Sequence, residues 1–245
     1  MRESIETAKR NYMESHGFEE MHLKAVLFDM DGVLFDSMPN HAASWSAVMT
    51  EFGLEMTPEE AYMHEGRTGA DTIHILARRH WGREATEDEI RSIYEAKCRA
   101  FNGCTEPPRM PGAAEVLQKV AVDGCRIVLV TGSGQRSLLD RLEHNFPHTF
   151  APDNMVTSFD VEHGKPHPEP YLRGLAKAGV RPWEAMVVEN APLGVRAGVA
   201  AGIFTVAVNT GPLNDRVLLD AGADWLFPSM QALADGWAGF FEALR

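Results

Sequence analysis

The sequence predicts an α/β fold: a parallel sheet covered by helices on both faces, with a helical insert near its start. Three observations support this. Apolar, β-rich runs alternate with helical patterns along most of the 245 residues, each run ends in polar residues and glycine, and one long early stretch shows no strand pattern. With 44% apolar and 24% charged residues, the composition is that of a globular protein able to bury a large core.

Four apolar runs are predicted to be buried parallel strands, at 23–28, 126–130, 185–188 and 204–208. Helical patterns lie between or after them. They span 111–122, 136–143, 168–178 and 213–221. Alternation of this kind is typical of strands joined by crossover helices, so the sheet should be parallel with helices on both faces.

Between about 37 and 107 the apolar residues recur at helical spacing, which predicts an all-helical insert. Its candidate helices span 39–52, 58–64, 70–81 and 86–101. The hinges are expected just after Asp36 and in the proline-rich stretch 106–111. The predicted organisation is an N-terminal helical extension (1–22), the α/β core (23–36 and 108–245) and the insert (37–107).

Charge and composition argue against several functional classes. A net charge of −12 with no basic stripe disfavours nucleic acid as a partner. No apolar run is long enough to span a bilayer, and the charged first twenty residues do not resemble a secretory signal. The three cysteines, Cys98, Cys104 and Cys125, lack the spacing of a disulfide or zinc site. We therefore expect a cytoplasmic protein.

Two carboxylates follow the first strand in the segment Asp29-Met30-Asp31-Gly32, where Gly32 permits a sharp turn. The carboxyl ends of parallel strands are where open α/β sheets bind ligands. Carboxylates this close favour a hard cation, and Mg²⁺ could take Asp29, a backbone carbonyl of this loop and the side-chain oxygen of Asn190. Asp29 is the candidate nucleophile. Asp31 is the candidate general acid and base, which requires a raised pKa.

The remaining polar clusters supply groups that suit a phosphate. After the second strand, Thr131 and the backbone amides of Gly132 and Ser133 could hold phosphoryl oxygens. Lys165 adds a fixed positive charge. The expected chemistry is Mg²⁺-dependent phosphoryl transfer through an aspartyl phosphate, on a small phosphorylated metabolite.

Four motifs resemble those of the haloacid dehalogenase superfamily, and within it the group of β-phosphoglucomutase and sugar-phosphate phosphatases. They are FDMDGVLFDS (28–37), VTGSG (130–134), KPHPEPY (165–171) and VVENAPLGV (187–195). The resemblance implies a Rossmann-like core, a helical cap that opens and closes over the site, and dependence on Mg²⁺. It also implies that a chain with Asp31 does not perform the metal-free dehalogenase reaction.

The chain departs from this family pattern at two positions. Asn190 stands where relatives often have aspartate, which weakens the metal site unless Glu189 compensates; the candidate metal ligands are thus Asp29, Asp31, Glu189 and Asn190. Gly69 stands where the mutase group has an arginine for a distal phosphate. The nearby Arg67 could take that role or be a surface residue.

His41 and Trp45 follow Asp36 and lie four apart on a predicted helix. This resembles the mutase pattern, in which the histidine lies near the acid-base aspartate and helps exclude water. They fit either this role or plain helix packing.

The favoured function is a phosphatase acting on a small sugar phosphate, in a monomer or weak homo-oligomer. The alternative is a phosphomutase that interconverts glucose 1-phosphate and glucose 6-phosphate. A phosphonate hydrolase would need a cap lysine, for which the only candidate is Lys97. A catalytically silent binding module is the fourth interpretation, with Asn190 as its warning sign.

Overall fold

A six-stranded parallel sheet forms the centre of the molecule. The computed structural model describes residues 4–134 and 136–245, without the side chains of 136–139. The strands are β1 (Ala25–Phe28), β2 (Arg126–Val130), β3 (Met155–Val156), β4 (Ala185–Glu189), β5 (Phe204–Val208) and β6 (Trp225–Phe227). They lie in the order β3-β2-β1-β4-β5-β6, and every neighbouring pair is parallel. The predicted α/β fold is confirmed.

Helices cover both faces of the sheet and build the insert. In chain order they are α1 (Ile5–His16), α2 (Met38–Glu51), α3 (Pro58–Met63), α4 (Gly69–Trp81), α5 (Glu87–Asn102), α6 (Ala113–Val122), α7 (Arg136–Asn145), α8 (Glu169–Ala178), α9 (Pro192–Ala200), α10 (Asp215–Asp220) and α11 (Met230–Leu244). Side chains of α1, α6 and α11 pack on one face of the sheet, and those of α8 and α9 on the other. The result is a three-layer core.

The central strand β1 shows why its sequence is continuously apolar. All four of its residues are buried. Val26 and Phe28 enter the core on the α1–α11 side, whereas Ala25 and Leu27 enter the core under α8 and α9. Because successive strand side chains point to opposite faces, a strand covered on both faces has no polar position.

Two strands of the sheet were not predicted. β3 has two residues and β6 has three, and each pairs along the edge of the sheet with one neighbour. Runs this short show no usable periodicity. Their strand geometry depends on pairing with β2 and β5, which the local sequence does not encode.

The N-terminal segment forms the predicted helix, α1, although residues 1–3 of the predicted extension lie outside the described residues. Ser4 caps it by accepting a hydrogen bond from the Thr7 amide, and Gly17 ends it in the left-handed conformation. Tyr12 is 1% exposed and donates its hydroxyl hydrogen bond to the Gly202 carbonyl at 2.8 Å. The helix is therefore docked on the core.

Helices α2–α5 pack around an apolar cluster of their own, separate from the cores of the sheet. Threonine N-caps begin α3, α4 and α5, and Thr86 forms a capping box with Glu89. The two connections to the core run side by side, since the Asp36 amide donates to the Pro108 carbonyl at 3.0 Å. The helical prediction for this segment is confirmed, while the boundaries 37 and 107 stay a prediction.

Two findings concern membrane insertion and disulfide formation. Within residues 4–134 and 136–245, no helix is both long enough and apolar enough to cross a bilayer. Cys98, Cys104 and Cys125 are free thiols. A cytoplasmic location stays a prediction.

Asp224 offers a stability test. Its Oδ2 accepts the Thr205 amide at 2.7 Å, and burial raises the pKa of Asp224 to about 6. A carboxyl whose folded pKa exceeds its unfolded value loses stability as pH rises between the two values. We expect Asp224→Asn to raise the free energy of unfolding by roughly 1–3 kcal/mol at pH 8 and by much less at pH 4.

Urea unfolding at both pH values would measure the Asp224 effect. The exposed Asp220→Asn serves as the control, with little change at either pH. Equal effects of Asp224→Asn at pH 4 and pH 8 would contradict the expectation.

Candidate active site

The carboxyl ends of three neighbouring strands carry the predicted site residues. β1 lies between β2 and β4, and a polar segment follows each strand: Asp29 after β1, Thr131 after β2 and Asn190 after β4. Parallel strands end at the same edge, so these segments meet. The helical insert, which is the cap of the family pattern, covers this edge. A cavity lies between the cap and the core.

The turn after β1 depends on Gly32. Its φ is 81°, and its amide donates to the Phe35 carbonyl at 2.7 Å. A Cβ atom at Gly32 would lie 2.0 Å from Asn190 Nδ2, so both conformation and space require glycine. The turn that follows Asp29 and Asp31 therefore packs directly against Asn190.

Lys165 is the cation at the centre of the site. It is 1% exposed, and its Nζ donates to Asp29 Oδ1 at 2.5 Å, to Glu189 Oε1 at 2.6 Å and to the Val130 carbonyl at 3.0 Å. Burial alone would lower the pKa of Lys165, but the charges of Asp29 and Glu189 outweigh it and raise that pKa. Lys165 is thus held as a cation beside the candidate nucleophile.

Glu189 is fully engaged by the core. Besides Lys165, its Oε1 accepts the Tyr171 hydroxyl at 3.0 Å, and its Oε2 accepts the amides of Asn190 and Ala191 at 2.9 and 3.1 Å. A Cβ atom at Gly194 would lie 1.6 Å from Oε1. Glu189 therefore anchors Lys165 and the start of α9, and it has little capacity left for a metal.

The electrostatics of Asp29 indicate a shortage of positive charge. Burial raises the pKa of Asp29 to about 8, and Glu189 and Asp31 add to this, although Lys165 acts in the opposite direction. A nucleophilic carboxylate must be ionised. A further cation beside Asp29 would favour that ionised form.

Asp31 is held by two side chains of the insert. Its Oδ1 accepts the Ser37 hydroxyl at 2.6 Å and contacts His41 Nε2 at 3.1 Å. Ser37 is the N-cap of α2 but makes no side-chain capping bond, and its hydroxyl donates to Asp31 instead. The start of α2 thus positions a site carboxylate.

Lys97 completes a chain of contacts to Asp31. Its Nζ lies 2.8 Å from His41 Nδ1, and it is packed against the rings of Trp45 and Phe101, 5.3 and 4.9 Å from their centroids. A lysine ammonium only donates, so His41 accepts at Nδ1 and donates from Nε2. Burial lowers the pKa of Lys97 to about 8 and also lowers the pKa of His41.

The expectation that neighbouring groups raise the pKa of Asp31 is wrong. Burial alone would raise that pKa, but His41, Ser37 and Lys97 outweigh it, and the pKa of Asp31 lies below its ordinary value. The physical reason is that all of these partners favour the charged carboxylate. In this state Asp31 is a base, and it needs a proton before it can act as an acid.

The segment after β2 lies at the cavity, and one of its two predicted phosphate-binding amides, that of Ser133, is engaged within the loop. Thr131 is 3% exposed, and its Oγ1 accepts the Ser133 amide at 3.0 Å. Gly132 and Ser133 line the cavity. A Cβ atom at Gly132 would lie 2.8 Å from the carbonyl oxygen of Gly66 in the insert. The loop therefore faces the cavity at close contact with the cap.

The insert side of the cavity contains the three predicted cap residues His41, Trp45 and Arg67. The Nε atom of Arg67 is buried without a hydrogen-bond partner within the described residues. Gly69 lines the cavity as well, and a Cβ atom there would lie 2.4 Å from the ring of Tyr94. The Tyr94 ring thus fills the space that a side chain at position 69 would need, which explains the glycine.

Asn190 still offers one side-chain oxygen as a ligand for a cation. It is 6% exposed, and its Oδ1 is buried with no hydrogen-bond partner among the described residues. In those residues no three His, Cys, Asp or Glu side chains are grouped as a metal site. A mixed set that combines the Asp29 carboxylate with the Asn190 amide oxygen still suits Mg²⁺, which keeps several waters.

Glu65 is a cap carboxylate at the same edge, and the sequence analysis did not find it. Its two carboxylate oxygens accept from Asn190 Nδ2 at 3.4 and 3.3 Å. Burial, and then the charges of the neighbouring carboxylates, raise the pKa of Glu65 well above its ordinary value. No periodic or motif signal marks Glu65, because its place depends on how the cap packs on the core.

Ser37 was also missed as a site residue, and Lys97 was named only as a candidate lysine for a phosphonate hydrolase. For Lys97 a signal was present, since it lies four residues from both Ile93 and Phe101 on the buried face of α5. A charged residue on an apolar stripe is typical of a buried functional group. Ser37 carried no such signal, because serine before a helix is ordinarily a cap.

Comparison with known proteins identifies the relatives of the chain. Over 191 residues it is 35% identical to hexitol phosphatase A of Escherichia coli K12, covering 77% of this chain and 84% of that protein. It is 32% identical to the phosphorylated carbohydrates phosphatase of Thermotoga maritima, covering 82% and 92%. A solved structure described as "Putative beta-phosphoglucomutase from Bacteroides vulgatus" is 59% identical, covers 98% of both chains and superposes with a TM-score of 0.95.

The sequence model for haloacid dehalogenase-like hydrolases matches residues 23–202, most of the chain. That span includes both carboxylates after β1, Lys165 and Asn190. The chain belongs to the haloacid dehalogenase-like hydrolases and is an enzyme of that family.

Proposed function

We propose that the chain is a Mg²⁺-dependent phosphatase that acts on a small sugar phosphate through an aspartyl phosphate on Asp29. The observation that carries this proposal is the position of Asp29 at the end of β1, beside the cavity and 2.5 Å from the buried Lys165. The Escherichia coli and Thermotoga maritima relatives, named as phosphatases of hexitol and carbohydrate phosphates, support the substrate class.

Asp29 would act as the nucleophile. Its carboxylate attacks phosphorus, the bond from phosphorus to the sugar oxygen breaks, and the sugar leaves with a proton. Water then attacks the aspartyl phosphate, which releases inorganic phosphate and regenerates the carboxylate. The Gly132 amide would bind a phosphoryl oxygen, and the Ser133 amide could join it only by leaving Thr131 Oγ1. Lys165, whose three hydrogen bonds go to Asp29, Glu189 and the Val130 carbonyl, would offset the phosphoryl charge without donating to it.

Asp31 would move the proton in both steps. Ser37 and His41 fix its carboxyl group at the cavity, so it can protonate the leaving oxygen and later take a proton from water. Because its pKa is lowered in the free state, the approach of the dianionic phosphate has to raise it before the first step.

Mg²⁺ would be held by Asp29, Asn190 and a backbone carbonyl of the turn at Asp31, with Glu189 restricted to a supporting role by its four contacts. The bound cation supplies the positive charge that lets an anionic nucleophile approach a phosphate dianion. The buried, unpartnered Asn190 Oδ1 supports this assignment.

A phosphomutase is the second candidate, and the contacts of Asp31 favour it. The Asp31–His41–Lys97 chain joins the acid-base group to the cap, so closure could position Asp31 while water is excluded. The name of the Bacteroides vulgatus structure agrees with this candidate. In a mutase a sugar hydroxyl, instead of water, would accept the phosphoryl group from Asp29.

Other classes receive less support from the site. A phosphonate hydrolase would need a cap lysine free to form a Schiff base, whereas Lys97 is bound to His41. A silent binding module would have no need for a buried Lys165 between two carboxylates. The site therefore favours phosphoryl transfer.

Arg67 would bind the part of the substrate farthest from Asp29. Arg67 lines the cavity, and its Nε is buried without a hydrogen-bond partner among the described residues. We expect Arg67→Ala to raise KM roughly tenfold while kcat changes little, because such a contact is made equally in ground and transition states. Steady-state kinetics would measure this. The exposed Arg78→Ala on α4 is the control, and a fall in kcat with KM unchanged would contradict the assignment.

The deciding experiment follows β-glucose 1-phosphate and a panel of sugar and polyol phosphates with Mg²⁺, with and without a trace of glucose 1,6-bisphosphate. Free phosphate from any of them supports the phosphatase. Glucose 6-phosphate without phosphate release would establish the mutase instead. No turnover of any substrate would favour the silent module.

A further inference from the structure

The metal pocket of this chain lacks one negative charge on its core side. Asn190 is neutral, and Glu189 is engaged by Lys165, Tyr171 and two amides. Of the predicted carboxylate donors, Asp29 already shares one oxygen with Lys165. Divalent cations bind more tightly as the number of charged ligands increases, so the core alone makes a weak site.

The cap brings another carboxylate to this position. Glu65 lines the cavity, and Asn190 Nδ2 lies 3.3 and 3.4 Å from its two carboxylate oxygens, longer than a good hydrogen bond. The oxygen of the same amide, Asn190 Oδ1, is buried without a partner among the described residues. A loosely paired carboxylate and an unpaired amide oxygen thus lie in the same small region.

The charges around Glu65 make a cation the fitting occupant. Asp29, Asp31 and Glu189 all lie close enough to act on it electrostatically. Bringing a carboxylate toward three others is unfavourable unless positive charge joins them. Lys165 has no donor left, because its three hydrogen bonds go to Asp29, Glu189 and the Val130 carbonyl.

Close packing of the cap loop positions Glu65. The next residue, Gly66, has φ 87°, and a Cβ atom there would lie 3.0 Å from Lys165 Cδ. The Gly66 carbonyl oxygen would be 2.8 Å from a Cβ atom at Gly132. Backbone contact between cap and core at glycines thus places Glu65 against Asn190, and this placement requires a closed cap.

We propose that Glu65 is a cap-borne ligand of the Mg²⁺ ion, directly or through one of its waters, and supplies the charge that Asn190 lacks. Cation binding would then favour the closed cap. This inference rests on the proposed Mg²⁺-dependent function. It adds a residue from the insert to a site otherwise built by the core.

Isothermal titration with Mg²⁺ tests the proposal on the full chain without substrate. We expect Glu65→Gln to weaken Mg²⁺ binding roughly 10- to 100-fold, as losses around a metal site do. The matched control is Glu59→Gln, which removes the same charge from an exposed position on α3 and should leave the affinity within about twofold. Adding Asn190→Asp to Glu65→Gln should recover most of the affinity.

A second measurement reports cap closure. Hydrogen exchange of amides 64–68 should slow when Mg²⁺ is added to the wild type and change much less in Glu65→Gln. If that variant does not fold, Glu65→Asp, which keeps the charge but shortens the side chain, should show a smaller loss of affinity in the same direction.

The outcomes distinguish the role of Glu65 from the proposed Mg²⁺-dependent function. Wild-type and Glu65→Gln affinities that agree, or tighter binding by Glu65→Gln, would overturn the role of Glu65 and leave the proposed function intact. Absence of Mg²⁺ binding by the wild type at millimolar concentration would overturn both.

Discussion

Replacement of Asp29 by asparagine is expected to reduce turnover of the best sugar phosphate by roughly 10⁴-fold or more, because a neutral amide cannot replace the carboxylate that forms the covalent intermediate. The substitution keeps the size of the side chain and leaves Lys165 bound to Glu189. Folding should therefore persist, and the loss should appear in kcat. Steady-state kinetics would measure the loss of kcat. Intact mass spectrometry after rapid quenching would measure the loss of the phosphoryl adduct.

The control for Asp29 is the same substitution at an exposed position, Asp153→Asn, which should leave kcat and the adduct unchanged. Retention of more than about a tenth of the wild-type kcat by Asp29→Asn would show that another group carries the chemistry. An adduct that forms on a different residue would lead to the same conclusion.

Replacement of Lys165 by methionine should lower the free energy of unfolding by roughly 3–5 kcal/mol at pH 8, because it leaves two buried carboxylates without their cation. Asp29 and Glu189 are 4% and 1% exposed, so water cannot replace the lost charge. Turnover should also be lost, since Lys165 lies 2.5 Å from the candidate nucleophile.

The effect at Lys165 should depend on pH in a defined direction. The pKa of Asp29 is raised to about 8 even beside the lysine, and loss of the lysine raises it further. A carboxyl whose folded pKa exceeds its unfolded value is most favourable to folding at low pH. The difference between Lys165→Met and wild type should therefore be smaller at pH 5 than at pH 8 in urea unfolding.

The Lys24–Glu184 pair provides the matched control for Lys165. Its atoms also approach to 2.5 Å, but the Lys24 side chain is 59% exposed. Lys24→Met should cost at most about 1 kcal/mol, because water and salt screen an exposed pair. Equal losses at Lys24 and Lys165 would contradict the view that burial makes the central pair important.

Secondary structure in this chain followed largely from local pattern. The buried strand after Lys24 and the insert helices were predicted to within one or two residues, because apolar periodicity and threonine caps are local signals. The edge strands β3 and β6 were not predicted, since their pairing partners are distant in the chain. The order of strands in the sheet likewise required the structure.

In the candidate site, likewise, several residues could be named from the sequence, whereas their contacts could not. Asp29, Asp31, Thr131, Lys165 and Asn190 could be named from the sequence because each follows a predicted strand or lies in a motif, and parallel strands bring their carboxyl ends together. Their roles remain proposals. The sequence also marked Asn190 as a neutral residue at a position that suits a charge.

Only the tertiary structure decided which partners those residues have. Lys165 joins Asp29 to Glu189, Lys97 reaches Asp31 through His41, and Glu65 arrives at Asn190 from the cap. The physical reason is that these contacts join side chains far apart in sequence, so they depend on how the insert packs against the sheet edge. Local sequence thus determined the elements and the donor groups, whereas packing determined their contacts and their electrostatics.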